Sequence, residues 1–358
     1  MSAFNISIFN ELNEIVKDVL HVKSNFQCQV TDEFREQMFN QEWISDDNQE
    51  QFYNFNDIKS YFHYDTPEKF YQLFSNNRFY YPPKPYYKHI SLVIESWGLL
   101  KRFPIHYPPM FGLNEVVKSE QEKNNIYTTS KQEDNSNSTT STSTTTSTNN
   151  NNNNVGTADE TIVLTKQDQI DDDNRQSNEL LFFEKFNNRM IEMIEKWSEQ
   201  TKEDRRQLLI EFLTSMTSRN FLTMMGIRKT KLSLDTYLPP GPITLIKSSN
   251  LPNKVGAVSK LTVSSRALSK HGIRSDNGFW GSDKGPELIK NTRSEKCIVK
   301  ILTNTSWINI HLLPHNIPII EIRNEEGYGL RWSSVGDFFR GFLEPQMIGM
   351  LSHFFLWS

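Results

Sequence analysis

Residues 307–332 read WINIHLLPHNIPIIEIRNEEGYGLRW, and the way this stretch folds decides the architecture around it. Its isoleucines alternate with other side chains at the two-residue period of a strand. Two strand candidates, Trp307–Leu313 and Ile317–Arg323, are followed by a third at Gly329–Ser333. In the first, Ile308, Ile310 and Leu312 point one way, and Trp307, Asn309 and His311 the other. In the second, Ile320 and Ile322 point away from Ile319, Glu321 and Arg323. A three-residue loop, Pro314–Asn316, pairs Leu313 with Ile317 and keeps odd positions together. A four-residue loop would mix the faces and bury Glu321 among isoleucines, which is expensive. The sequence therefore predicts one aliphatic face and one face carrying Trp307, Asn309, His311, Glu321 and Arg323.

An aliphatic sheet face needs a cover. The preceding segment, residues 286–304 (PELIKNTRSEKCIVKILTN), predicts a helix with Pro286 at its start and Leu288, Ile298, Val299 and Leu302 on one side. Residues 262–271 (TVSSRALSKH) predict a shorter helix ending before Gly272, and residues 338–345 (FFRGFLEP) a fourth strand. A helix followed by an antiparallel meander gives an α+β fold class, with helical N-terminal and central regions and a C-terminal helix plus antiparallel meander.

Further upstream, Ile8, Phe9, Leu12, Ile15, Val16, Val19 and Leu20 share one helical stripe, which predicts an amphipathic helix over 4–22. Residues 180–216 are helical by the spacing of Phe183, Phe186, Met190, Ile194 and Trp197. A second helix in that stretch opens at Thr201, with Asp204 three residues on. The stretch YLPPGPITLI at 237–246 ends this helical zone at Pro239–Pro242. The stretch YYPPKPYY at 80–87 is extended; it packs on its own domain or serves a proline-binding module. Between 118 and 178 lie SNSTTSTSTTTSTNNNNNN and QIDDDNRQSN, which cannot bury enough apolar surface to offset backbone ordering. This gives three segments: a helical, aromatic-rich region at 1–117, a disordered low-complexity insertion at 118–178, and a helical pair with an α+β core at 179–358, packed with the first.

Composition excludes several classes. The chain has 358 residues, 36% hydrophobic and 12% aromatic, with a net charge of -4, so it is not a strongly basic nucleic-acid binder as a whole. No run of about 18 apolar residues exists, so no transmembrane helix is expected. The first twenty residues are interrupted by Glu11, Glu14, Lys17 and Asp18, unlike a signal peptide. Cys28 and Cys297 form no CxxC pair, which favours a reducing compartment, cytoplasmic or nuclear. Charge is uneven along the chain. Residues 1–60 hold 11 Asp and Glu against 4 Lys and Arg, whereas 219–300 hold 15 Lys and Arg against 5 Asp and Glu. The basic stretch is an anion, phosphate or RNA surface, or a face complementing the acidic N-terminal region.

Two sets of side chains carry possible chemistry. Asn309 lies opposite Glu321 and His311 diagonal to it. A carboxylate that close tunes an imidazole for acid–base work, or the group is a structural Asn–His–Glu–Arg cluster. The candidate catalytic residues are His311 and Glu321. The candidate anion-binding residues are Arg266, Lys270, His271, Arg274, Arg323 and Arg331. His311 and His315 lack a third ligand nearby, so no metal is expected, and no motif implies a cofactor.

The segments SRALSKHGIRS, FWG, WINIHLLP, IIEIRNEEGYGLRW and FRGFLEP together resemble a eukaryotic family of uncharacterised proteins with SKH–RS, W-N-H, GYG-x-RW and F-x-GFLEP segments. The likeness covers residues 264–345. It directs attention to His271, Arg274, His311, Arg331 and Glu344 and supplies no mechanism. Three functional readings follow: a basic C-terminal half that binds an anionic partner, RNA or a phosphorylated ligand; an enzyme using the His311–Glu321 pair with an arginine anion clamp; or a protein–protein interaction scaffold.

Overall fold

The hairpin adopts the three-residue connection. The computed structural model describes residues 6–41, 81–105, 110, 113 and 166–346, apart from 231, 255, 257 and 272–277. In it Leu313 pairs with Ile317, Ile310 with Ile320, Asn309 with Glu321 and Ile308 with Ile322. Pro314–Asn316 forms a 3-10 turn in which His315 and Asn316 take positive φ angles of 66° and 56°. Strands β1 (Thr305–Leu313), β2 (Ile317–Asn324), β3 (Gly329–Ser333) and β4 (Phe339–Leu343) form an antiparallel meander in the order β1-β2-β3-β4. Between β3 and β4 the register shifts after Arg331, which bulges β4 at Arg340.

The described residues also form nine α-helices: α1 (Ile6–Leu20), α2 (Asp32–Phe39), α3 (Tyr86–Leu100), α4 (Lys166–Glu195), α5 (Lys202–Thr214), α6 (Ser218–Met224), α7 (Pro242–Ser249), α8 (Val263–His271) and α9 (Glu287–Thr303); of these α7, α8 and α9 pack on the sheet. The chain is thus α+β, with the meander at the C-terminal side of the helical regions. None of the described helices is long and apolar enough to cross a membrane.

The aliphatic face of the sheet packs on α9. Ile298, Ile301 and Leu302 of α9 share one buried core with Ile308, Ile310, Ile320 and Ile322. Each such side chain contributes roughly 1.5–3 kcal/mol on burial. Leu288 departs from the sequence expectation: it is 53% exposed. The buried stripe in that half of α9 is continued by Asn291 and Ser294, whose amide oxygen and hydroxyl meet Thr262 and Ser264, respectively, at the start of α8. Small polar side chains there replace the apolar contact that Leu288 would have made. Trp332, on the same sheet face, donates its indole N–H to Leu245 O of α7 at 3.1 Å.

The outer edge of β1 is not left open. Arg228, Leu232 and Leu234 bond along it, with Arg228 N donating to Ile308 O, Leu234 N to Ile310 O, and Leu312 N to Leu232 O. Covering an edge in this way removes a template for strand pairing.

In the helical part α1 packs against α3 and α5. Trp97, Phe103, Phe183 and Phe212 form an aromatic cluster. Gly98 lets α3 and α4 approach closely; an added Cβ would lie 2.1 Å from Ile194 Cβ. Thr201 caps α5 by accepting from Asp204 N. The two proline-rich stretches meet: Tyr81 Oη donates to Pro240 O at 2.5 Å and Tyr86 Oη to Pro239 O at 2.7 Å, and both tyrosines are fully buried. YYPPKPYY therefore packs on its own fold. Two elements differ from expectation. Pro242 begins α7 rather than ending the helical zone, because proline suits the first helical position. Helix α4 begins at Lys166, inside the segment read as an insertion; residues 166–178 contain neither proline nor glycine. Most of the low-complexity run lies outside the described residues. By contacts, residues 1–115 and 177–358 belong to one compact unit, and 116–176 fall outside it.

Candidate functional site

The polar sheet face gathers around one carboxylate. Glu321 is central on β2 and 3% exposed at its side chain. Arg323, two residues along the same strand, donates Nε to Glu321 Oε1 at 2.6 Å. Arg331, paired with Glu321 across β3, donates Nη2 and Nε to Oε2 at 2.6 and 3.2 Å. His311 Nε2 lies 3.5 Å from Oε2, and its Nδ1 lies 3.2 Å from Leu312 O. Burial alone would raise the Glu321 pKa. The His311 contact and the two guanidiniums outweigh it and hold this carboxyl well below the usual carboxylate range. Glu321 is therefore a charged, saturated acceptor, poorly suited to take up a proton.

The other members of the expected cluster go elsewhere. Asn309 is buried beside Glu321 in register but bonds across the β1 edge. Its Nδ2 donates to Thr230 Oγ1 at 2.9 Å and its Oδ1 accepts from Ser233 Oγ at 2.8 Å. Arg323 requires a correction as an anion-binding residue. It is 2% exposed, and its Nη1 is spent on Gly327 O at 2.6 Å and Glu344 O at 2.9 Å. Gly329, its cross-strand partner, makes room for that path: an added Cβ would lie 2.8 Å from Arg323 Cγ. Arg331 is 26% exposed and keeps Nη1 without a partner among the described residues.

A second histidine is built differently. Leu268 anchors α8 in the core, and His271, three residues on, ends the helix on the same side. Strand β4 delivers Glu344 one residue past its end. His271 Nδ1 lies 3.0 Å from Glu344 Oε1, and Trp280 donates Nε1 to that same oxygen at 2.7 Å. Trp280 is 1% exposed and packs edge-on against Phe342, with ring centroids 5.0 Å apart. The His271 ring sits 5.9 Å from that of Trp280. The histidine side chain is 22% exposed and its carboxylate partner 40%. Its Nε2 has no hydrogen-bond partner among the described residues. Arg266 and Lys270, one turn apart, are exposed on α8. The Nη1 of Arg323 on Glu344 O ties this cluster to the Glu321 hub.

Residues 251–344 match the CdiA C-terminal tRNase toxin domain. The matched segment contains α8, α9 and the whole sheet, and both histidine clusters end within it. It is 94 of the 358 residues. No curated protein and no solved structure matches the chain.

The residues named from sequence thus divide. Arg266, Lys270 and His271 lie together on α8; His311, Glu321, Arg323 and Arg331 form the hub; Arg274 lies outside the described residues. The sequence reasoning placed neither Trp280 nor Glu344 against His271. They lie 9 and 73 positions away, and the only sign was their presence in FWG and FLEP. Among the described residues no group of three or more His, Cys, Asp or Glu side chains is arranged to hold a metal ion. Among the described residues the ion pairs of the acidic α1 are not with the basic stretch. The helix pairs with α5 instead, through Glu11 with Arg205 at 2.9 Å and Asp18 with Arg206.

Proposed function

We propose that the C-terminal α+β region binds RNA and cleaves its phosphodiester backbone, with His271 as the acid–base group. The observation that carries this is the His271–Glu344–Trp280 arrangement: a partly exposed imidazole, oriented through Nδ1 by a carboxylate that an indole N–H fixes in turn. Such a carboxylate sets the tautomer and leaves Nε2 to face substrate. Arg266 and Lys270 beside it supply phosphate contacts. The likeness of 251–344 to a tRNase toxin domain supports an RNA substrate, with transfer RNA the first class to test.

In this reading His271 Nε2 takes the proton of a ribose 2′-hydroxyl. The 2′-oxygen forms a bond to phosphorus as the bond to the 5′-oxygen breaks, and water protonates the departing oxygen. The hub of Glu321, Arg323 and Arg331 is the frame beneath, since its carboxylate is saturated and its histidine packed against it. The test is to incubate the full chain with transfer RNA and examine the ends. Cleavage products carrying 2′,3′-cyclic phosphate are expected. Binding should weaken steeply with salt, and a double Arg266→Gln, Lys270→Gln change should make that slope shallower by about one to two. Absence of both binding and cleavage at low salt contradicts the reading.

A further inference from the structure

Helix α9 carries a row of cations that the acid–base site does not use. At about 100° per residue, Arg293, Lys296 and Lys300 fall within roughly 60° of one another, opposite the buried face of Asn291, Ile298 and Leu302. Lys296 and Lys300 are exposed, one turn apart, and neither pairs with a carboxylate among the described residues. Like charges so spaced disfavour a helix, so this pair adds nothing to the fold. The acids of α9 are engaged elsewhere: Glu287 accepts from Ser259 Oγ at 2.6 Å and Lys260 N at 2.8 Å, and Glu295 from Asn250 Nδ2 at 2.7 Å. The row also lies beside the candidate site. Asp283 Oδ1 accepts from Ser269 Oγ at 2.8 Å and from Arg293 Nη2 at 3.0 Å, which ties the row to α8 two residues before His271. Lys290 reaches the other oxygen of Asp283 at 3.3 Å, so two cations outweigh that one carboxylate. At the far end of the row, Lys300 Nζ sits 4.4 Å from the ring centroid of Phe279, the neighbour of Trp280.

We infer that Arg293, Lys296 and Lys300 form a second phosphate track along α9, separate from Arg266 and Lys270 on α8, so that the site takes an RNA extending well beyond the bond it cleaves. The inference rests on the RNA reading above and specifies the extent of its substrate. From Arg293 to Lys300 the helix rises about 10 Å, so one phosphate cannot serve both ends and a chain of them can. Lysine suits this role: it meets phosphate as a point charge and reads no base. Each phosphate contact releases counterions and so adds affinity whatever the sequence. An acidic stretch of protein carries the same sign of charge. RNA is favoured because Asp283 joins the row directly to the helix that ends in His271.

The probe is 2′-O-methyl RNA, which 2′-hydroxyl chemistry cannot cleave, as a tetranucleotide and as a strand of transfer-RNA length. Each is titrated into the full chain over a series of salt concentrations. The long form should bind tighter and show the steeper salt dependence. A double Lys296→Gln, Lys300→Gln change should weaken the long form about tenfold at low salt and make its slope shallower by about one to two. Adding the α8 double Arg266→Gln, Lys270→Gln should lower the slope by a similar amount again. Both α9 positions are exposed and glutamine matches lysine in helix propensity, so the variant keeps its fold. Lys296→Arg with Lys300→Arg should keep the original slope. A long-RNA slope unchanged by the glutamine double, or equal slopes for the two lengths, overturns the track while leaving the RNA reading standing. Poly-glutamate that displaces the long RNA at equal charge also overturns it and assigns the row to an acidic protein segment. If neither RNA binds at low salt, both readings fall.

Discussion

Glu321 and Glu344 each stand beside a histidine, yet the fold treats them in opposite ways. Glu321 is 3% exposed, and both its oxygens are held by arginines. Glu344 is 40% exposed, and one oxygen serves both His271 and Trp280. A buried carboxylate with two guanidiniums has no capacity left for a substrate. On the function proposed above its value is structural, because such charges are costly to bury unless paired. A half-exposed pair with one oriented ring nitrogen has capacity to spare, which is what acid–base work requires. On that reading, proximity of a carboxylate to an imidazole is not enough to mark a site; the degree to which the carboxylate is already satisfied separates the two pairs.

The largest effect expected is at the hub. Glu321→Ala leaves the buried Arg323 and the partly buried Arg331 without their counter-charge and should cost roughly 3–5 kcal/mol in urea unfolding at pH 7. The pH dependence sharpens this. A carboxyl held below its ordinary value of 4.5 contributes stability above that pH and loses it as pH falls towards the depressed value. The gap between unaltered protein and variant should therefore narrow below about pH 4.5. A loss under about 1 kcal/mol at pH 7 would show that the hub is not structural.

Glu295 of α9 extends the comparison to a half-buried carboxylate that pairs with no cation among the described residues. Burial pushes it up to about 7, opposed by a hydrogen bond from Asn250 Nδ2 at 2.7 Å. Here the sign reverses. A carboxyl raised in the folded state disfavours folding once ionised, so stability should fall as pH rises from about 4.5 through about 7. Glu295→Gln should remove that fall and stabilise the protein at pH 8 by on the order of 1 kcal/mol, allowing for partial solvent screening. A melting profile across pH 5 to 8 that is unchanged by the substitution would contradict it.

Much of the fold was legible in the sequence where one physical cost dominated. The hairpin register was readable because the wrong loop length buries Glu321 with isoleucines. The α5 start was readable because Thr201 and Asp204 form a local cap. What failed depends on distant partners. Nothing near Asn309 announces Thr230 and Ser233, and nothing near His271 announces Glu344. Arg323 and Arg331 look alike in sequence, yet the backbone carbonyls of Gly327 and Glu344 capture the first and leave the second at the surface. Leu288 was misread because its stripe is continued by Asn291 and Ser294, which a search for apolar period passes over.

The measurement that separates the two histidines most directly is RNA cleavage and melting temperature, recorded together for His271→Gln and His311→Gln in the full chain. The account predicts that His271→Gln lowers cleavage by about 10²–10⁴-fold and leaves the melting temperature nearly unchanged. His311→Gln should lower the melting temperature by a few degrees, as a group packed against Glu321 is lost, and retain most of the cleavage rate. The reverse assignment, with cleavage lost in His311→Gln and kept in His271→Gln, would contradict the central claim and place the chemistry on the sheet face.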